Sequence, residues 1–194
     1  MIDELSNAKQ NLRKTNAQIR KNAQIKHPNA PQICAEKADD VAALFAPKII
    51  AAYWPIRTEL DPIPLLKSLM AKGMLACLPV TPQEGQPLSF HQWDGQAELE
   101  EGPYGTKQPS PSLPQIDPDL ILAPLLAFDA DCWRLGYGGG FYDRTLAALE
   151  AKGHKAHVIG IAYDEQQVEK VPTDIYDKAL SAILTPTRLL RQTP

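Results

Sequence analysis

Apolar residues at the start of the chain recur at helical spacing: Leu5, Ala8, Leu12, Ile19 and Ala23 mark one face of an amphipathic helix. A second helix is predicted from about Pro31 to Phe45, with Ala38, Val41, Leu44 and Phe45 on its apolar side. The pattern then changes. Lys48-Ile-Ile-Ala-Ala-Tyr53 is a short apolar run, which predicts a buried strand. Asp61-Pro62 reads as a helix start, a capping acid before a first-turn proline, and Gly73 as its stop. Met74–Val80 and Pro87–Trp93 predict further strands. Residues 94–118 predict irregular chain, because Pro103, Pro109, Pro111, Pro114 and Pro118 lack the N–H donors a ladder needs. Beyond them come a strand over Asp119–Ala123, a helix over Phe141–Lys152 ended by Gly153, a strand over Ala156–Tyr163 and a last strand over Leu180–Leu184. His154 and His157 fall at a helix–strand junction.

Strands alternating with helices predict an α/β fold: a single-domain three-layer sandwich, spanning 1–194, with a largely parallel central sheet flanked by helices. Ligands in such folds gather at the carboxyl ends of the strands. The most telling chemistry falls there. Arg134-Leu-Gly-Tyr-Gly-Gly-Gly-Phe-Tyr-Asp143 places four glycines in five positions between an arginine and a helix that opens on an acid. Such a turn lets backbone N–H groups converge on an anion without Cβ atoms in the way. The helix start adds the positive end of its dipole. Arg134 supplies a planar cationic fork, and Asp143 is suited to a divalent cation. This is not a P-loop, since Phe141-Tyr142-Asp143 stands where lysine and Ser/Thr should follow. It is also a poor dinucleotide fingerprint. The competing explanation is a tight turn that packs a helix on a sheet.

Other residues leave two readings open on spacing alone. Lys9 and Arg13, four apart on a helix, point the same way and reach phosphates or form a solvated basic face. Glu59, in Tyr53-Trp-Pro-Ile-Arg-Thr-Glu59, recognises a ligand or caps the following turn. Asp177 alone reads as an ordinary turn acid.

The motif from Ala127-Phe-Asp129 through Asp143 closely resembles the signature of the 5-formyltetrahydrofolate cyclo-ligases, and the likeness extends over most of the chain. The resemblance implies an ATP- and Mg2+-dependent ligase that closes 5-formyltetrahydrofolate to 5,10-methenyltetrahydrofolate through a phosphorylated formyl oxygen, releasing ADP and phosphate. It implies that Lys9 and Arg13 reach the ATP phosphates together with Arg134, Leu135, Gly136, Tyr137, Gly138, Gly139, Gly140, Phe141 and Tyr142. Arg134 and Tyr142 take the catalytic positions, Trp54 and Glu59 bind the folate, and Asp143 and Asp177 hold the metal. Tyr104-Gly-Thr-Lys-Gln-Pro109 matches a family segment with glutamine in place of glutamate. Cys132 stands where glycine is usual, and Ser181 where many members carry an acid, which predicts altered loop geometry with activity kept. A non-catalytic folate- or ATP-binding relative is the alternative.

Composition narrows the picture further. Across 194 residues, 44% hydrophobic and 22% charged, the chain is globular and long enough for one well-buried domain. The net charge is −3, yet residues 1–30 carry six cations against two acids while the remainder is acidic. A nucleic-acid module built on the basic helix is therefore disfavoured. Three scattered cysteines without metal-ligand spacing fit a reducing compartment. No membrane-length apolar run or secretory signal is present. The expectation is a cytoplasmic protein acting on small molecules, with a monomer favoured.

Overall fold

A computed structural model describes residues 2–175 and 177–192. In chain order, α1 (Ile2–Lys26), α2 (Ala30–Ala35) and α3 (Ala38–Phe45) precede β1 (Ile49–Ala51), α4 (Ile63–Met70), β2 (Leu75–Val80) and β3 (Ser89–Trp93). A small ribbon follows, β4 (Glu100–Glu101) with β5 (Lys107–Gln108), then β6 (Leu120–Pro124) and a second ribbon, β7 (Ala127–Phe128) with β8 (Arg134–Leu135). The chain continues through α5 (Phe141–Ala151), β9 (His157–Ile161), β10 (Ala182–Leu184) and β11 (Leu189–Arg191).

The main sheet has seven strands in the order β11-β10-β9-β6-β1-β2-β3. Its five inner strands are parallel, and an antiparallel strand closes each edge. Side-chain alternation along these strands divides the core in two. Ile50, Leu120, Leu122, Ile159 and Leu184 face Val41 of α3 and Leu65, Leu66 and Leu69 of α4. Ala51, Ile121, Ala123, Val158 and Ile183 face Leu146 and Leu149 of α5 on the other side. Leu65, Leu66 and Leu69 are fully buried, and each such leucine contributes about 1.5–3 kcal/mol by leaving water. The three-layer α/β sandwich is as the alternation of elements implies.

Asp61 caps α4 as its sequence suggests, its Oδ1 accepting the Ile63 N–H at 2.9 Å, and Gly73 leaves the helix with φ +92°. His154 and His157 flank the junction between α5 and β9. Four expectations need correction. The helix predicted over 31–45 is two helices, because Lys37 N–H turns back to Cys34 C=O at 3.1 Å and tightens the chain between them. The stretch 94–118 is not wholly irregular: it contains the β4–β5 ribbon, and Gln115 bridges His91 of β3. β10 is not the last strand, since the chain reverses at Thr185 and returns as β11. Finally, Ala8 is exposed, and the side of α1 turned inward carries Lys9, Arg13, Asn16 and Arg20 among its apolar residues. Hydrophobic periodicity cannot see a buried face that is half polar.

Candidate active site

α1 lies over loops that leave the carboxyl ends of the parallel strands. Lys9 reaches the segment before β10, Arg13 reaches the glycine turn, and Arg20 reaches the chain just after β6. Two adjoining cavities open there. The larger, about 780 Å3, is lined by Lys9, Arg13, Arg134, the run Leu135–Asp143, and Asp177. The smaller, about 340 Å3, is lined by Tyr53, Trp54, Glu59, Tyr104 and Lys107 among others. Pro124, Tyr137, Gly139, Phe141 and Tyr142 border both. Each volume lies in the range that holds a small molecule.

The glycine turn owes its shape to two left-handed positions, Gly138 at φ +100° and Gly140 at φ +65°. A Cβ on Gly138 would lie 3.2 Å from the Arg13 guanidinium, so the absence of a side chain lets the cation sit against the turn. Arg13 Nε also donates to Gly136 C=O at 3.0 Å. Gly140 is the N-cap of α5, whose first N–H groups have no partner within the helix, and a helix start of this kind favours an anion. The side chain of Arg144 folds back, its guanidinium donating to Gly139 C=O and lying over the Phe141 ring.

Opposite charges interleave around this cradle. Arg134, its side chain 7% exposed, donates to Lys178 C=O at 3.1 Å and to Asp143 Oδ1 at 2.6 Å. Lys9 Nζ donates to Asp174 at 2.6 Å and Asp177 at 2.7 Å. Partial burial pulls the Lys9 pKa down, but the two carboxylates outweigh it and the net shift is upward. Lys9 is therefore firmly cationic. Asp143 and Asp177, the expected metal carboxylates, both line the larger cavity, each with one oxygen already on a cation. No group of three or more metal-ligating side chains occurs among the described residues. Two carboxylates on one cavity are a donor set compatible with an ion such as Mg2+, which takes one or two carboxylates and completes its shell with water and phosphate oxygens.

In the smaller cavity, Glu59 is buried and its Oε2 accepts the Ile56 N–H at 2.9 Å. The carboxylate thus closes the turn that precedes it, over 56–59, and not the following turn as a cap would, and it also faces a cavity. Burial raises its pKa, opposed by the Ile56 bond, Arg20, the Tyr137 hydroxyl and Arg57. Trp54 meets Trp93 edge-on, 6.3 Å between ring centroids, and the Lys107 ammonium lies 6.0 Å from the Trp54 ring. Burial, reinforced by the Glu59 charge and opposed by Arg134, raises the Tyr142 hydroxyl pKa above its ordinary value.

A family model, the 5-formyltetrahydrofolate cyclo-ligase family, matches residues 5–186. The chain belongs to that family. It is 35% identical over 145 residues to the 5-formyltetrahydrofolate cyclo-ligase of Escherichia coli K12, covering 72% of this chain and 79% of that one. The Mycolicibacterium smegmatis 5-formyltetrahydrofolate cyclo-ligase is 36% identical over 149 residues, 73% of this chain and 75% of the relative. Among solved structures, the Aquifex aeolicus 5,10-methenyltetrahydrofolate synthetase superposes with a TM-score of 0.69 at 26% identity, covering 92% and 93% of the two chains.

All the ATP-side residues expected for a cyclo-ligase fall around one cavity, and both folate-side residues around the other. Three departures from the family pattern resolve differently. Cys132 adopts the left-handed backbone itself, φ +63°, and buries its thiol, so the loop keeps a conformation glycine favours at the cost of about 1–2 kcal/mol of strain. Ser181 lies away from both cavities, accepting the Val158 N–H at 3.2 Å beside His157. Gln108 is buried and accepts the Thr81 N–H at 3.1 Å, so its amide fixes the ribbon to the end of β2. The residues missed from sequence are Arg20, Arg144 and Asp174. Arg20 was detectable: it continues the stripe of Lys9 and Arg13 at helical spacing on one face. Arg144 and Asp174 carried no such signal.

Proposed function

We propose that this chain closes 5-formyltetrahydrofolate to 5,10-methenyltetrahydrofolate with consumption of ATP. The single observation that carries the reading is the pair of cavities with a common wall: a cationic, glycine-lined one suited to a polyphosphate, and an aromatic one with a buried carboxylate suited to a folate. A formamide oxygen is a poor leaving group. Its attack on the γ-phosphorus expels ADP and leaves a phosphate ester on the formyl carbon. N10 of the folate then attacks that carbon, phosphate departs with the former formyl oxygen, and N10 loses its proton.

Alignment of the two substrates and neutralisation of charge are what the protein contributes. Lys9, Arg13, Arg134 and the N–H groups of the turn hold the triphosphate, and Arg134 meets the charge that develops on the transferred group. Tyr142, on the shared wall, offers its hydroxyl to the reacting groups as a hydrogen-bond donor. Trp54 offers a flat face for the folate ring system, and Glu59 accepts hydrogen bonds from it. Asp143 and Asp177 are the residues that would hold Mg2+, which would neutralise phosphate charge there. Small-molecule substrates and a cytoplasmic monomer complete the proposal.

Purified protein mixed with ATP, Mg2+ and 5-formyltetrahydrofolate should show the absorbance of the methenyl product growing with time, together with one phosphate per turnover. Folate-independent phosphate release, or no product from protein that binds both ligands, would refute it.

A further inference from the structure

Arg20 belongs to neither cavity lining, yet it lies beneath the wall between them with 2% of its surface exposed. A guanidinium stays charged in any protein environment, so its burial demands partners. Those partners come from three different loops. Arg20 Nε donates to Thr58 Oγ1 at 3.1 Å, beside the folate-side Glu59. One terminal nitrogen donates to Leu125 C=O at 3.3 Å, next to Pro124 of the wall, and lies 3.8 Å from a Glu59 oxygen. The other donates to the Tyr137 hydroxyl, in the glycine turn, with the guanidinium 5.3 Å from that ring's centroid. Arg20 thus stands between the Tyr137 hydroxyl and the Glu59 carboxylate and is in contact with both. The same guanidinium therefore ties a residue of the nucleotide-side turn to the folate-side carboxylate.

We propose that Arg20 is a positioning residue that couples the two cavities through Tyr137. The inference rests on the functional reading above. Phosphates held by the turn restrain Tyr137, which belongs to it. A restrained Tyr137 holds the Arg20 guanidinium in one geometry, and the guanidinium holds Glu59, so the folate meets a carboxylate already oriented. Linkage makes the effect reciprocal: folate on Glu59 restrains Tyr137 and with it the nucleotide turn. An arginine that merely filled space would produce no such cooperativity.

The test is calorimetric titration of the intact protein with 5-formyltetrahydrofolate, with and without a saturating non-hydrolysable ATP analogue and Mg2+. Nucleotide should tighten folate binding by about fivefold or more, with the same ratio when the order is reversed. In Arg20→Lys and Tyr137→Phe that ratio should fall below about twofold, close to no coupling. Tyr137→Phe removes one hydroxyl and keeps the ring against Arg20, so it carries the test even if Arg20→Lys fails to fold. Binding of both ligands to the wild type without cooperativity overturns the coupling alone, as does cooperativity that survives Tyr137→Phe. Failure of the wild type to bind either ligand overturns the functional reading and the coupling with it.

Discussion

Replacing Arg134 with alanine separates the stability of this site from its chemistry. The side chain is 7% exposed and makes two charge-assisted bonds, to Asp143 at 2.6 Å and Lys178 C=O at 3.1 Å. Hydrogen bonds to charged groups contribute about 1.5–3 kcal/mol each. Asp143 is 31% exposed and regains part of its hydration when its partner goes, so the net destabilisation should be about 1.5–3 kcal/mol. In a chain of this size that lowers Tm by roughly 4–10 °C. Turnover should fall much further, since a lost preorganised donor raises the barrier by about 2.7–4 kcal/mol, roughly a hundredfold to a thousandfold. The double variant Arg134→Ala/Asp143→Asn removes the carboxylate left without its cation. It should recover thermal stability and recover no activity. Melting curves read the first effect, and methenyl absorbance at saturating substrates reads the second. Wild-type turnover in folded Arg134→Ala would take Arg134 out of the mechanism. Unrelieved instability in the double variant would show that the ion pair was not its source.

Glu59→Gln should weaken folate binding by about tenfold to a hundredfold in the absence of nucleotide, while affinity for nucleotide alone stays within about threefold. Parallel titrations check this, and equal loss of both affinities contradicts the division of the site. Gly160→Ala should destabilise by about 1–3 kcal/mol, because a Cβ there would stand 2.6 Å from Leu125, 2.7 Å from Leu180 and 2.8 Å from Ile183 in the packed core. Urea unfolding measures it, and an unchanged midpoint refutes the overpacking. Lys9 has a folded pKa above its ordinary 10.5, so the stability from its two carboxylate contacts is fully present below that pH. That contribution disappears as pH rises through the folded value. Stability of the wild type relative to Lys9→Gln should therefore be constant at neutral pH and shrink only in strong alkali; a difference already vanishing near neutrality would contradict the assignment.

Boundaries set by glycine and proline were the most legible part of the fold. Asp61-Pro62 and Gly73 bracket α4 because a cap and a left-handed stop act within a few residues of themselves. The split between α2 and α3 and the return strand β11 were not legible, although each is local: neither the Lys37–Cys34 turn nor the hairpin at Thr185 is marked by a glycine. In the site, the glycine turn announced itself because it must bend locally. Asp174 and Arg144 were silent: their significance is only that the fold sets them beside Lys9 and Gly139.

What the order of residues determined by itself is therefore local: the alternation of helix and strand, the backbone freedom at Gly138 and Gly140, and the cationic stripe along α1. Such features follow from dihedral preference and side-chain spacing, which neighbouring residues impose on one another. Only tertiary structure decided that the stripe faces inward, that Arg20 spans three loops, and that the two cavities share Tyr137. Those outcomes need the parallel sheet to gather the ends of its strands. A buried charge stays in such a place only when segments remote in sequence arrive with partners for it.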